Sequence, residues 1–244
     1  MNLHVSPSLQ TDGKWAKEVK FSITQHQAET ILNWAASRME LDVNSRSSDG
    51  SYQISTLYLD TPNLNVYNKS KGYRVSKYRV RRYGASDLIF LEQKRKRGCQ
   101  VTKKRVQANQ ELLCALASTE EIQYEPTKWF IDSVKQLNLG PASLISYTRT
   151  AFNTLVGGEA LRLTLDHQIK ARPCGDWKVE PVIQGLEVSP DHWVLEIKFP
   201  DLVPPFFQSL LMEQKLVQSG FSKYRTSREA IWGDDAGGRQ CRAS

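Results

Sequence analysis

Cysteine is scarce in this 244-residue chain, with Cys99, Cys114, Cys174 and Cys241 making up the whole supply. None are spaced as CxxC, and no histidine stands close enough to complete a zinc pattern, so a zinc module and a disulfide scaffold are both disfavoured. Reduced, structural thiols suit the cytosol, which is the expected compartment. Histidine is equally sparse, and His4, His26, His167 and His192 are scattered as surface or internally satisfied residues rather than ligands. No run of 18 apolar residues occurs, so no helical membrane span is expected. Residues 1–14 lack the apolar stretch of a signal peptide. The closing Cys241-Arg242-Ala243-Ser244 places an arginine where a prenylation box needs an aliphatic residue.

What the chain does have is core-forming residues and positive charge. Hydrophobic residues make up 40%, enough for one large domain, and all-β or barrel domains often reach this length. Lysine and arginine number 33 against 26 acids, a formal charge of +7. Such a surplus favours a polyanionic partner, whether nucleic acid, phosphate compound or anionic membrane.

Periodicity sets the elements. A flexible lead-in over 1–15 precedes a strand over 16–23 and a helix over 24–39, which Thr24 is placed to cap. A polar loop spans 42–51, a strand 52–59, and a short helix is expected from Asp60 to about Lys69. Asp60 itself, before Thr61-Pro62, has the character of a turn or cap residue. Three strands over 74–83, 88–96 and 100–107 are joined by short turns, the mark of an antiparallel meander. Helices are expected over 109–118, 126–138 and 204–218, and strands over 142–153, 159–168 and 192–199. The single domain runs over 16–232, with a disordered tail at 233–244.

The faces of these strands carry the chemistry. Side chains alternate with period two, so Glu18 and Lys20 share a face, as do Lys77, Arg79 and Arg81. Glu92, Lys94 and Lys96 share another, then Lys103 and Arg105, then Arg162, Thr164 and Asp166, then Glu196 and Lys198. Apolar residues such as Leu161, Leu163, Leu165, Leu195 and Ile197 lie behind them. A polar face in water is ordinary for one antiparallel strand. Repeated lysines and arginines two apart repel one another unless something anionic lies between them. Glu-x-Lys also recurs at Glu18/Lys20, Glu92/Lys94 and Glu196/Lys198, where chance supplies about one such pair. Lysine and arginine neutralise phosphate oxygens, arginine with a two-pronged geometry. A glutamate among them suits Mg²⁺ or Mn²⁺ bridging phosphates.

These residues carry a resemblance. Glu18-Val19-Lys20-Phe21, Tyr58-Leu59-Asp60-Thr61-Pro62, the run from Lys77 to Gly84, the run from Leu91 to Lys96 and Lys103-Lys104-Arg105 form its first part. Tyr147 to Phe152, Arg162 to Asp166, Leu195 to Lys198 and Phe221-Ser222-Lys223-Tyr224 complete it. Together they resemble the VTC domain of polyphosphate polymerases, a branch of the triphosphate tunnel metalloenzymes, or CYTH superfamily. The resemblance covers about residues 15–230.

It implies an α+β, mainly antiparallel fold: an eight-stranded closed β-barrel, the triphosphate tunnel, with flanking helices. It implies Lys20, Arg79, Arg81, Lys94, Arg149 and Arg162 as the catalytic cradle. Further phosphate contacts are implied at Lys103, with Lys104 as its register alternative, and at Lys223, and the shared strand faces add Lys77, Arg105 and Lys198 as candidates. Glu196 corresponds to the metal-binding acid for Mn²⁺ or Mg²⁺, and Glu18 is a second candidate ligand or a group that supports the ligand from behind. Asp166 is a metal ligand or the ion-pair partner of a tunnel arginine. The chain departs from the common Glu-x-Glu-x-Lys opening by carrying Ala16 at the first glutamate. Tyr224-Arg225-Thr226-Ser227 also differs from the family's usual small or apolar continuation.

The function expected is transfer of the γ-phosphate of ATP to a growing inorganic polyphosphate chain. Hydrolysis of a triphosphate in the same tunnel is the alternative within enzymes, and a non-catalytic polyphosphate-binding module the alternative outside them. Nucleic acid is not expected, because the strand aromatics lie partly on the apolar faces. The expected setting is cytoplasmic. If product is fed across a membrane, a separate membrane protein supplies the membrane part.

Overall fold

The computed structural model describes residues 16–45, 50–118 and 125–233. The expected lead-in and, but for Gly233, the expected tail lie outside the described residues. Ten strands are present: β1 (Ala16–Ile23), β2 (Glu40–Leu41), β3 (Tyr52–Asp60), β4 (Ser76–Tyr83), β5 (Ile89–Arg97), β6 (Gln100–Ala108), β7 (Gly140–Val156), β8 (Glu159–Pro173), β9 (Leu186–Glu187) and β10 (Trp193–Phe199). Five α-helices accompany them: α1 (Gln25–Ala36), α2 (Gln110–Ala117), α3 (Lys128–Gln136), α4 (Pro205–Glu213) and α5 (Lys223–Trp232).

Eight of the strands close into an antiparallel barrel. Their order is β7-β3-β4-β5-β6-β1-β10-β8, and β8 pairs back onto β7. The two-residue strands β2 and β9 lie against β7 and β8. Closure removes the free edges that an open sheet would expose. The barrel is inverted relative to a soluble sandwich, with its apolar faces outside under the helices. One apolar cluster gathers Leu57, Val80 and Leu91 with Leu113 of α2, Phe130 of α3 and Tyr224 of α5. The other packs Val19, Leu163 and Ile197 against Ala28 and Ile31 of α1 and Phe207 of α4. Each fully buried side chain of this kind contributes about 1.5–3 kcal/mol.

Local chemistry explains most of the element ends. Thr24 caps α1 in a reciprocal box: Gln27 N–H donates to its hydroxyl at 3.3 Å, and its own N–H donates to the Gln27 side chain at 3.0 Å. The short helix expected over 60–69 does not form. The Asp60 carboxylate instead accepts the backbone N–H groups of Thr61, Val66 and Tyr67 at 2.7, 2.8 and 3.0 Å. Amides thus satisfied wrap the segment around one side chain, and Leu64 and Lys69 adopt left-handed φ values of 56° and 53° that a helix cannot hold. The helix expected over 204–218 ends at Glu213, shortly before Lys215 at φ 50°. Helix α5 was not expected. Ser222 caps it by accepting the N–H of Arg225.

Candidate active site

The barrel encloses a cavity of about 1660 Å³. Sixteen lysines and arginines line it, against the four acids Glu18, Asp42, Glu196 and Glu229. The surplus inside therefore exceeds the net +7 of the entire chain, and the rest of the protein is net acidic. The basic composition is a property of the tunnel rather than of the surface.

Strand register builds this lining rung by rung. Arg79 of β4 faces Glu92 of β5, which faces Arg105 of β6. Lys77 faces Lys94, which faces Lys103. Across β1 and β10, Glu18 faces Lys198 and Lys20 faces Glu196, and Lys198 in turn faces Arg162 of β8. Arg149 of β7 faces Asp166 of β8.

Buried acids hold the cations in place. Glu92 is fully buried and lies 2.7 Å from Arg79, 3.7 Å from Arg81 and 3.3 Å from Lys103. Burial pushes its carboxyl up, but Arg81, Lys103 and Arg79 outweigh that and hold it well below the usual carboxylate range. Asp166 receives Arg149 in a two-pronged contact at 2.5 and 2.7 Å and also pairs with Lys223. It thus fills the ion-pair role. Asp42 accepts Arg162 at 2.6 Å and Asn153 at 3.1 Å, and Arg162 donates to the Asn153 carbonyl at 2.8 Å. Neither Glu92 nor Asp42 was singled out as a positioning group from the sequence, although Glu92 stood in the recurring Glu-x-Lys pattern.

Glu18 and Glu196 form a two-carboxylate centre wrapped in lysine. Lys20 lies 3.7 Å from Glu18 and 3.0 Å from Glu196, and Lys198 lies 3.6 and 3.1 Å from the same two groups. Lys94 donates to Glu18 at 2.6 and 2.8 Å. Burial and Glu196 push the Glu18 carboxyl up, but the three lysines carry it below its ordinary value. Burial also opposes charge at Lys94, whose ammonium falls to about 7 despite Glu18. Two glutamates are hard oxygen donors of the kind that take Mg²⁺ or Mn²⁺, with phosphate oxygens completing the shell. Among the described residues, no group of three His, Cys, Asp or Glu side chains is positioned to hold a metal. Glu18 and Glu196 are the carboxylates here that could hold a divalent ion together with phosphate oxygens.

Most of the expected residues line this cavity, namely Lys20, Lys77, Arg79, Arg81, Lys94, Lys103, Arg105, Arg149, Arg162, Lys198, Lys223, Glu18 and Glu196. Lys104 does not. It stands exposed on the outer face with its ammonium 4.5 Å from the Trp129 ring centre, which fixes the register on Lys103. Period two on a strand allows only one of two neighbours to face inward. Trp34 is half-buried against Phe206 and Phe207. The cavity also holds aromatic residues to which the sequence assigned no role in the site: Tyr52, Tyr58, Tyr83, Phe90 and Tyr147 share its wall with the cations. Burial pushes the Tyr58 phenol up, but Arg79, Arg81 and the nearby lysines bring it down to about 8.

A closed antiparallel barrel with a cationic interior is the triphosphate tunnel fold. The solved structure of a candidate adenylate cyclase from Bacillus halodurans shares it at a TM-score of 0.51 and 14% identity, covering 86% of this chain and 94% of that one. A candidate adenylyl cyclase from Hippeastrum with a dominant triphosphatase activity aligns at a TM-score of 0.48 and 14% identity, over 88% and 96% of the two chains. No curated protein matches the chain in sequence. The VTC domain model matches residues 16–231, and the chain belongs to that family.

Proposed function

We propose that this chain is a metal-dependent polyphosphate polymerase, transferring the γ-phosphate of ATP to the end of an inorganic polyphosphate chain. The observation that supports this best is the excess of the tunnel over what a triphosphate needs. Its cavity is larger than the roughly 300–1,000 Å³ of ordinary small-molecule sites. Its sixteen cations exceed the acids that line or hold them, Glu18, Asp42, Glu92, Asp166, Glu196 and Glu229, by ten, still more than the charges on one triphosphate, so a longer polyanion matches them better.

Phosphoryl transfer needs in-line geometry and charge compensation more than covalent help. Arg79, Arg81, Arg149 and Arg162 are each fixed by a buried acid, so they meet the phosphates without reorganising. Lys20, Lys94 and Lys198 surround Glu18 and Glu196, and would turn to phosphate oxygens if a divalent ion took the carboxylates. The attacking phosphate oxygen is anionic at neutral pH. It bonds to the γ-phosphorus, the bond to the β-phosphate oxygen breaks, and ADP leaves with that electron pair. No side-chain base is required. Glu196 and Glu18 would hold Mn²⁺ or Mg²⁺, which when bound supplies further charge compensation on phosphate oxygens.

The triphosphatase reading uses the same cavity with water as the nucleophile. Helices long and apolar enough to cross a membrane do not occur among the described residues. The deciding experiment incubates the purified protein with ATP and Mn²⁺ and resolves the products on a polyphosphate gel. A ladder of chains with matching ADP supports the polymerase. Orthophosphate without chains, especially from tripolyphosphate, moves the reading to hydrolysis. Metal-dependent binding without turnover leaves a polyphosphate-binding module.

A further inference from the structure

The two mouths of the tunnel differ in chemistry. At one, Lys77 is the second residue of β4 and Lys96 and Arg97 close β5, joined by Lys69, Arg74 and Arg225 from the flanking segments and by the ring of Phe221 next to Ser222. At the other, Tyr52 opens β3, Tyr83 closes β4, and Phe90 stands near the start of β5. The ring centres of Tyr52 and Tyr83 are 6.1 Å apart, and Tyr83 and Phe90 meet edge to face at 5.5 Å. All three rings are half-buried and line the cavity. Tyr52 and Tyr83 touch the core on one side, whereas Phe90 lies outside both apolar clusters.

A bare polyphosphate chain offers only anionic oxygens, and aromatic rings have nothing to match them. A flat heterocycle carried on the end of a triphosphate does match them. Arg105 lies over one face of the Phe90 ring, 4.4 Å from its centre, so the ring is already used in stacking inside the tunnel, and a base would take its other face or replace the guanidinium. Gln107, directly opposite Phe90 on β6, adds an exposed amide that can hydrogen-bond a base edge. We infer that Tyr52, Tyr83 and Phe90 form the platform on which the nucleobase of the phosphate donor stacks. The donor then enters by the aromatic mouth with its phosphates running inward past Arg81 and Arg79, and the basic mouth is left to the inorganic chain. This inference rests on the proposed use of a nucleoside triphosphate.

Binding, rather than turnover, separates the two ideas. The affinities of ATP and of inorganic tripolyphosphate are measured by calorimetry at fixed Mn²⁺ for the wild type, Phe90→Ala and Phe90→Tyr. Stacking is sequence-tolerant and worth roughly tenfold or more per base. Phe90→Ala is expected to weaken ATP about tenfold while tripolyphosphate stays within about twofold, and Phe90→Tyr restores ATP. Equal losses for both ligands would mean that the ring only supports the barrel, and the inference falls. It falls too if ATP is unaffected. A split between the ligands in a protein that makes no polymer leaves the platform standing and overturns only the polymerase reading.

Discussion

Lys77 and Lys94 face each other directly across β4 and β5, and Lys94 faces Lys103 on β6 in turn. Like charges placed opposite one another in a sheet destabilise it. Glu18 and Glu92 relieve Lys94 and Lys103, while the contact at Lys77 is the neutral Ser222 hydroxyl at 2.7 Å. A polyanion threaded past this rung removes the repulsion. Tripolyphosphate at about a hundred times its dissociation constant adds about 2.7 kcal/mol, which for a chain of this size raises the melting temperature by roughly 5–10 °C. Scanning fluorimetry at low and high salt checks this, and the rise should shrink with salt.

Lys77 also makes binding depend on pH. Burial lowers its ammonium to about 8, with Lys20 and Arg79 adding to the effect against the pull of Tyr58. Above that pH the free protein has lost the proton, and a bound phosphate must draw it back. Tripolyphosphate affinity is therefore expected to fall as pH rises through about 8, by no more than about tenfold per unit for one proton. Stability moves the other way. Between about 8 and the ordinary lysine value of 10.5 the unfolded chain holds more protons at this site, so the contribution of Lys77 to folding rises with pH. Lys77→Arg keeps its charge throughout and should make the affinity profile shallower by one proton's share, as titration calorimetry from pH 7 to 9.5 would record, the remaining slope belonging to Lys94 at about 7 and Tyr58 at about 8.

Asp166 is fully buried and joins Arg149 of β7 to Lys223 at the start of α5. Removing its charge leaves two buried cations short of a counterion. Asp166→Asn is expected to cost about 3–5 kcal/mol in urea unfolding, with much of the loss recovered by added polyphosphate. An unchanged midpoint would mean that solvent reaches the pair and screens it.

The cationic lining was legible because it follows from period two, whereas closure of the strands into an eight-stranded barrel was implied by the family resemblance and not by the alternation. Lys77, Arg79 and Arg81 needed only alternation to share a face, and the register then brought Glu92 opposite Arg79. The same alternation continues from Arg81 to Tyr83 and from Glu92 back to Phe90, so the aromatic mouth was written in the strands, but rings on a charged face do not stand out as a pattern. Asp42 was hidden because it reaches Arg162 across 120 positions from a loop, and nothing local marks that distance. The segment after Asp60 misled because a side chain took the amides that a helix would have used. Lys103 and Lys104 were inseparable by composition, and the pairing of Lys94 with Lys103 decided between them.

Glu196 gives the sharpest separation of anion binding from catalysis. In the structure it accepts from Lys20 and Lys198, and these pairs, outweighing burial, hold its carboxyl well below the ordinary range. Neutralising it in Glu196→Gln frees two ammoniums for phosphate. Glu18 remains 3.7 and 3.6 Å from the same two groups, so the fold should persist. Tripolyphosphate without divalent metal is then expected to bind the variant at least as tightly as the wild type, while Mn²⁺-dependent turnover is lost. Calorimetry in chelator and product analysis in Mn²⁺ measure the two halves separately. Weaker metal-free binding would make Glu196 an organiser of the lysines, and full turnover in Mn²⁺ would remove it from the metal site.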